Sequence, residues 1–332
     1  MNSRRRIFIR YFAVFALVFT AGLITLALMQ AAPFGSSSAA ALDMADQYIS
    51  IYYQRANVSS LQDFLYTWKG ALGTNSWVLS SYYTNSIFVI FLRHLSFAQM
   101  LTALDIILML KPAIAAVTGL LFLDYKFRND SIIHIGGAVA YALSAWTSAF
   151  LQQIMWTDLL FLVPLVLYGF ERLLRERKGL LYTLCLSLAL SANFYIAYEV
   201  CLFLVLYFFY EELAESRINV HEIGRNFIRF ILYSLLAAGM AAVVLLPTAI
   251  ALSKTILEND APKVIMLYRS WSAYLKMLMP GQMDISVCSL HGYSFLQGAS
   301  WTEAGKAIFN CRLTSCQRSD HQLCGMEERP WE

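Results

Sequence analysis

Charge is what this 332-residue sequence has least of: 14% of its residues are Asp, Glu, Lys or Arg, where soluble domains carry about 25%. That shortage argues against a soluble enzyme and is too severe to furnish the charged flanks of coiled-coil heptads. Seven prolines and sixteen glycines are too few for a collagen-like or low-complexity chain. A net charge of +3 is too small to hold a nucleic-acid backbone, so no nucleic acid is expected as a partner. Nor is there a P-loop, a GxGxxG after a strand, an HExxH or a GxSxG, which removes the familiar nucleotide, zinc-protease and serine-hydrolase chemistries. What is present instead is hydrocarbon: 58% hydrophobic residues, 14% aromatic residues and a mean hydropathy of +0.54. Spread over this length, that excess requires several segments in lipid rather than one anchor.

Apolar runs and basic loops together predict an all-α membrane protein of about seven transmembrane helices. The first run, 7–29, follows Arg4, Arg5 and Arg6 and places the N-terminus in the cytoplasm; Ala31-Ala32-Pro33 is a poor cleavage site, so the run is read as an anchor. Residues 1–30 are thus the first helix and 31–86 a long extracytoplasmic loop with short helices. Further spans are expected at 97–122, 132–150, 159–170, 180–192, 194–209 and 230–252, with 87–92 as a short interfacial or re-entrant piece and a pivot at Asn193. The inner segments of this scheme carry thirteen Lys and Arg, the outer segments 31–86 and 151–157 only two, which is the asymmetry of a cytoplasmic N-terminus. Four more cations between Ser253 and Asp284 fit less well. Residues 253–285 form an extracytoplasmic segment in this scheme. The tail 286–332 holds four of six cysteines and no lipid-length run, and reads as the product of a frameshift or truncation. Cys311, Cys316, His321 and Cys324 lack the paired CxxC spacing of a zinc site.

A charge in the middle of an apolar run costs at least about 2.5–3.5 kcal/mol, so Lys111 needs a partner or a wet cavity. It either pairs structurally with Asp105 or another buried carboxylate, or serves a ligand. Glu199 raises the same question with opposite sign, and Asp158, near the outer face, suits a helix cap or a ligand equally. In the outer loop, Asp43-Met44-Ala45-Asp46-Gln47-Tyr48 sets two carboxylates, an amide and a phenol near the membrane surface. Such a group can hold a divalent cation, accept a proton from a sugar hydroxyl, or be a solvated loop. Trp68, Asn75, Tyr82 and Tyr83 lie in segments that interleave aromatics with small polar residues, a surface suited to sugar rings and equally to a membrane interface.

Several of these segments, taken in order, resemble the opening of bacterial YfhO-type membrane proteins. They are Pro33-Phe34-Gly35, Asp43-Met44, Gln47-Tyr48, Tyr66-Thr67-Trp68, Leu72-Gly73-Thr74-Asn75 and Tyr82-Tyr83, then Ala140 to Ser144, Trp156-Thr157-Asp158, Leu162 to Leu165, Gly169-Phe170-Glu171 and Asn193 to Tyr198. The resemblance covers residues 5 to 283, and its weight lies in order and spacing rather than in any one motif. It implies a glycosyltransferase-like fold of the GT-C class and transfer of a sugar from a polyprenyl-phosphate carrier to an envelope polymer such as lipoteichoic acid. Asp43 falls on the loop aspartate that acts as base or metal ligand, with Mg2+ or Mn2+ as the cation, and Asp46 is the reserve. Gln47, Tyr48, Trp68, Asn75, Tyr82, Tyr83, Lys111, Asp158, Asn193 and Tyr195 are the substrate-binding candidates that accompany them. The expected location is the bacterial cell membrane. Competing readings are a transporter or flippase of a lipid-linked or small solute, motivated by Lys111 and Glu199, and an inactive fragment of a longer parent. Transporters usually show internal repeats, and the two halves of this chain show none.

Overall fold

Short polar residues mark where helices begin. Ser96 accepts the backbone N–H of Gln99 while the Gln99 side chain accepts that of Ser96, a complete capping box. Ser60, Asn75, Ser86, Ser131 and Ser144 each accept one first-turn amide of the element that follows. Arg128 and Arg177 close two helices in the left-handed region, at φ 54° and 59°.

A computed structural model describes residues 3–69, 73–214 and 220–258. It contains α1 (Ser3–Leu28), a π-helical turn (Met44–Tyr48) running into α2 (Ile49–Ala56), α3 (Leu61–Leu65), α4 (Ser76–Tyr83), a 3-10 stretch (Ile87–Leu92) and α5 (Phe97–Phe127). There follow α6 (Ile132–Ala142), α7 (Ala145–Phe150), α8 (Thr157–Glu176), α9 (Leu180–Ala192), α10 (Phe194–Ala214) and α11 (Val220–Glu258). Among the described residues there is no strand, only isolated bridges between Ala31 and Ser37 and between Thr67 and Thr74. The chain divides into units Met1–Ile265 and Met266–Glu332, and the second, including the tail 286–332 and its cysteines, lies outside the described residues.

Five described helical segments are long and apolar enough to cross a bilayer: Arg5–Leu28, Phe97–Phe127, Ile132–Phe150, Phe194–Ala214 and His221–Lys254. The third of these is broken where Ser144 caps α7. The other two expected spans correspond to α8, which carries Asp158 in its first turn and Glu171, Arg172, Arg175 and Glu176 toward its end, and to α9, only 13 residues long.

The helix α5 is the axis of the bundle. In its most apolar window 61% of residues are buried inside the protein, against 17% for α1. Helices α1, α6 and α8 pack on it, α9 packs on α8, and α11 on α9. Close approach is built in at Gly169, where a Cβ would come within 2.6 Å of the Tyr182 backbone nitrogen, so α8 and α9 meet there backbone to backbone. Large apolar side chains such as Phe8, Phe12, Leu206, Leu235 and Val243 point outward instead, the pattern a bilayer rather than water accepts.

The end formed by the start of α1 and the ends of α5, α8 and α10 is basic and tightly paired. Buried Glu171 receives Lys126 at 2.6 Å, Arg175 at 2.9 Å and the Tyr207 hydroxyl at 2.6 Å, and Lys126 also pairs with Glu211. Nearby, Asp124 gathers Arg10 at 2.8 Å, the Tyr11 hydroxyl at 3.1 Å and His134 Nδ1 at 2.7 Å.

Candidate functional site

The loop 31–86 is tied to the end of the bundle opposite the basic one at several points. Asp105 accepts the Ser38 hydroxyl at 3.0 Å and the Ala39 amide at 3.1 Å, and the Gln152 side chain grips Ala39 and Ala41 through backbone atoms. On the other side, Trp77 Nε1 donates to Val243 O, the Thr248 hydroxyl to Ser81 Oγ, and Asn85 Nδ2 to Ser191 O. The loop helices are therefore fixed on the rigid ends of α5, α9 and α11, as binding loops usually are.

Asp105 is thus occupied by the loop, and the partner of Lys111 is Asp158. Their atoms lie 3.2 Å apart, with Lys111 fully buried and its ammonium also donating to Ile154 O at 2.7 Å. Asp158 accepts the Ser86 hydroxyl at 3.1 Å and makes no capping bond. The pair therefore fastens α5, the turn before α8 and the start of the 3-10 stretch to one another. Glu199 differs from expectation: it is exposed on the outer face of α10, not buried in the bundle, because that helix turns only Ala197, Val200, Leu204 and Phe208 inward. One of the two charges that motivated a transporter is therefore not an intramembrane partner within the protein.

Asp43 stands exposed just ahead of the π-helical turn, after Leu42, whose φ of 53° is strained for a branched side chain. The Tyr48 hydroxyl lies 3.3 Å from Asp43 Oδ2 and 2.7 Å from Gln153 Oε1, so its single proton has two acceptors in reach. Burial, followed by the Asp43 charge, pushes the Tyr48 phenol up to about 12, which keeps it a donor. From Tyr48 an aromatic cluster extends outward: Tyr83 at 5.6 Å, Tyr82 at 4.8 Å from Tyr83, Trp156 donating to the Tyr82 hydroxyl, and exposed Tyr195 stacked on Trp156 at 6.0 Å. The structure thus joins Asp43, Tyr48, Tyr82, Tyr83 and Tyr195 in one patch. Asn193 supports it from below: fully buried, it donates to Tyr82 O at 3.0 Å and caps α10 through the Ile196 amide at 3.0 Å.

A family model described as Bacterial membrane protein YfhO matches residues 13–286. The chain belongs to the YfhO family. No curated protein and no solved structure matches it. For this YfhO protein a membrane location follows from family and apolar helices together.

Asp46 and Gln47 face elsewhere, onto a groove of 670 Å3 whose wall includes Gln54, Lys69 and Thr74. Exposed Trp68 packs edge-on against Tyr66, and Asn75 accepts the Val78 amide at the start of α4. No three His, Cys, Asp or Glu side chains gather into a metal cage among the described residues. Sequence reasoning missed Gln153, which shares the Tyr48 proton, and the arginines Arg55 and Arg93 on a second groove of the outer end. Arg55 carried a signal, being one of only two cations in the outer loop 31–86.

Proposed function

We propose that this YfhO protein is a membrane glycosyltransferase, GT-C-like in fold, that moves a sugar from a polyprenyl-phosphate donor to a cell-envelope polymer such as lipoteichoic acid. The basic, internally paired end faces the cytoplasm and the Asp43 end faces outward, in keeping with the positive-inside asymmetry. The observation that carries the reading is Asp43 held beside Tyr48 on the edge of an aromatic patch with exposed Tyr195. Aromatic faces suit the C–H surface of a sugar ring. Asp43 then accepts the proton of the acceptor hydroxyl as that oxygen bonds to the anomeric carbon, and the bond from that carbon to the donor phosphate oxygen breaks with the lipid phosphate leaving. A divalent cation would be held by Asp43 together with phosphate oxygens, the mode magnesium favours where a protein cage is lacking, and would supply charge neutralisation there.

The test is Asp43→Asn in the complete protein, with the glycosyl content of the envelope polymer read by mass spectrometry. Loss of at least about 100-fold in transfer, the usual weight of a general base, is expected. Unchanged glycosylation at normal membrane abundance would sink the reading, and loss in Asp46→Asn alone would move the base to Asp46.

A further inference from the structure

The turn between α7 and α8, residues 151–156, meets the loop with each of its polar side chains. Gln152 accepts the Ala41 amide at 3.0 Å and donates to Ala39 O at 2.8 Å. Gln153 Oε1 accepts the Tyr48 hydroxyl at 2.7 Å, and Trp156 Nε1 donates to the Tyr82 hydroxyl at 3.3 Å. The placing of the loop residues around Asp43 therefore depends on where this turn sits.

Most of what holds the turn is local or non-directional. Its backbone bonds, Gln153 N to Phe150 O at 2.9 Å and Trp156 N to Gln153 O at 2.8 Å, stay within the same stretch of chain, as does the Thr157 hydroxyl on Ile154 O at 2.8 Å. Ile154 and Met155 are buried, but apolar packing resists withdrawal from the core without fixing a direction. A directional bond into the central helix α5 comes from Lys111, whose ammonium donates to Ile154 O at 2.7 Å. Asp158, in the first turn of α8, lies 3.2 Å from the same ammonium. Lys111 thus clamps the chain on both sides of Met155 and next to Gln153. At 0% exposure it touches no substrate, so any effect it has on chemistry passes through the protein.

We propose that Lys111 is a positioning residue for Asp43: by pinning Ile154 O it sets the turn 151–156, so that Gln153 takes the Tyr48 proton and leaves the Asp43 carboxylate open to the proton of the acceptor hydroxyl. Without Gln153 in place the phenol, 3.3 Å from Asp43 Oδ2, would donate there instead, and a carboxylate that already accepts such a bond is a weaker base. The placing of Tyr48 stands on the hydrogen bonds alone; its consequence for transfer rests on the function proposed above.

The experiment replaces Tyr48 by 3-fluorotyrosine in the complete purified protein and reads its 19F resonance. Lys111→Met with Asp158→Asn removes the clamp without stranding a buried charge. Its resonance should move from the wild-type position toward that of Gln153→Leu, and adding Gln153→Leu should move it little further, since substitutions acting on one contact are not additive. Without the label, the Lys111 and Asp158 variant should lose glycosyl transfer to the envelope polymer by about 100-fold at normal membrane abundance, the size expected when a distant substitution displaces a reacting group by about 1 Å. An unmoved resonance overturns the proposal, as do shifts that add in the triple variant. A moved resonance with wild-type glycosylation overturns the role of Lys111 in transfer. Gln153→Leu, at a partly exposed position away from the buried pair, keeps the test open where the double variant fails to fold: wild-type transfer in it overturns the proposal as well. If Asp43→Asn itself leaves glycosylation unchanged, the transfer reading fails, and the resonance alone decides whether Lys111 positions Tyr48.

Discussion

The two ends of the bundle handle charge in opposite ways. At the basic end Glu171, Glu211 and Asp124 each meet a cation from another helix, although Arg10 Nε and Nη1 and Glu211 Oε1 are left without partners. At the opposite end Arg55 sits half-buried over an aromatic ring, and Thr84 is buried with an idle hydroxyl. Burying charge is costly unless it is paired, so the first end is a structural joint. At the second end the half-buried Arg55 has no carboxylate within ion-pair distance among the described residues, so its charge contributes no joint between helices. The Lys111 and Asp158 pair lies between these regimes: the ammonium is held by Asp158 and Ile154 O, Asp158 Oδ2 is left without a partner, and Ser86 joins the pair to the 3-10 stretch that forms the groove wall.

Breaking that pair has the largest expected effect. Lys111→Met leaves Asp158 buried without its cation and should cost about 3–5 kcal/mol, read as a lowered thermal midpoint of the purified protein. Adding Asp158→Asn removes the stranded charge while keeping an acceptor for Ser86, so the double variant should recover a large part of the loss. No recovery would mean that the pair contributes little and Lys111 is needed for another reason. At the basic end, Glu171→Leu strands Arg175 but leaves Lys126 its contact with Glu211. The loss should fall at the lower edge of that range, about 3 kcal/mol. A loss as large as that of Lys111→Met would show that Glu211 does not share the load.

Much of this was readable in the sequence for local reasons, and the remainder needed packing. Asn193 was legible as a pivot because one amide interrupts two apolar runs, and the helices part there. Lys111 was legible as buried because nothing around it in the chain is polar. Its partner was not, since Asp158 lies 47 residues on and reaches Lys111 only through the packing of α8 on α5. The fourth span was expected at 159–170, but α8 extends from Thr157 to Glu176, because protein covers its charged first turn and ion pairs of Arg172 with Glu176 and of Arg175 with Glu171 support its last. Glu199 was misplaced for the converse reason: position within an apolar run does not say which side of a helix faces its neighbours. For the candidate site, Asp43 and the tyrosines were visible as residue types, whereas their union through Gln153 and Trp156 depends on the turn before α8.

The smallest expected effect bears most directly on the contrast between the ends. Arg55→Gln removes a cation that has no carboxylate partner, so unlike Glu171→Leu it should change stability by less than about 0.5 kcal/mol, as substitutions away from paired networks do. Some packing of the side chain on Phe64 is lost, and relief from holding an uncompensated charge offsets it. The thermal midpoint should then stay within error of the wild type's. A large loss would make Arg55 a structural joint like those of the basic end, and the distinction between the two ends would fall.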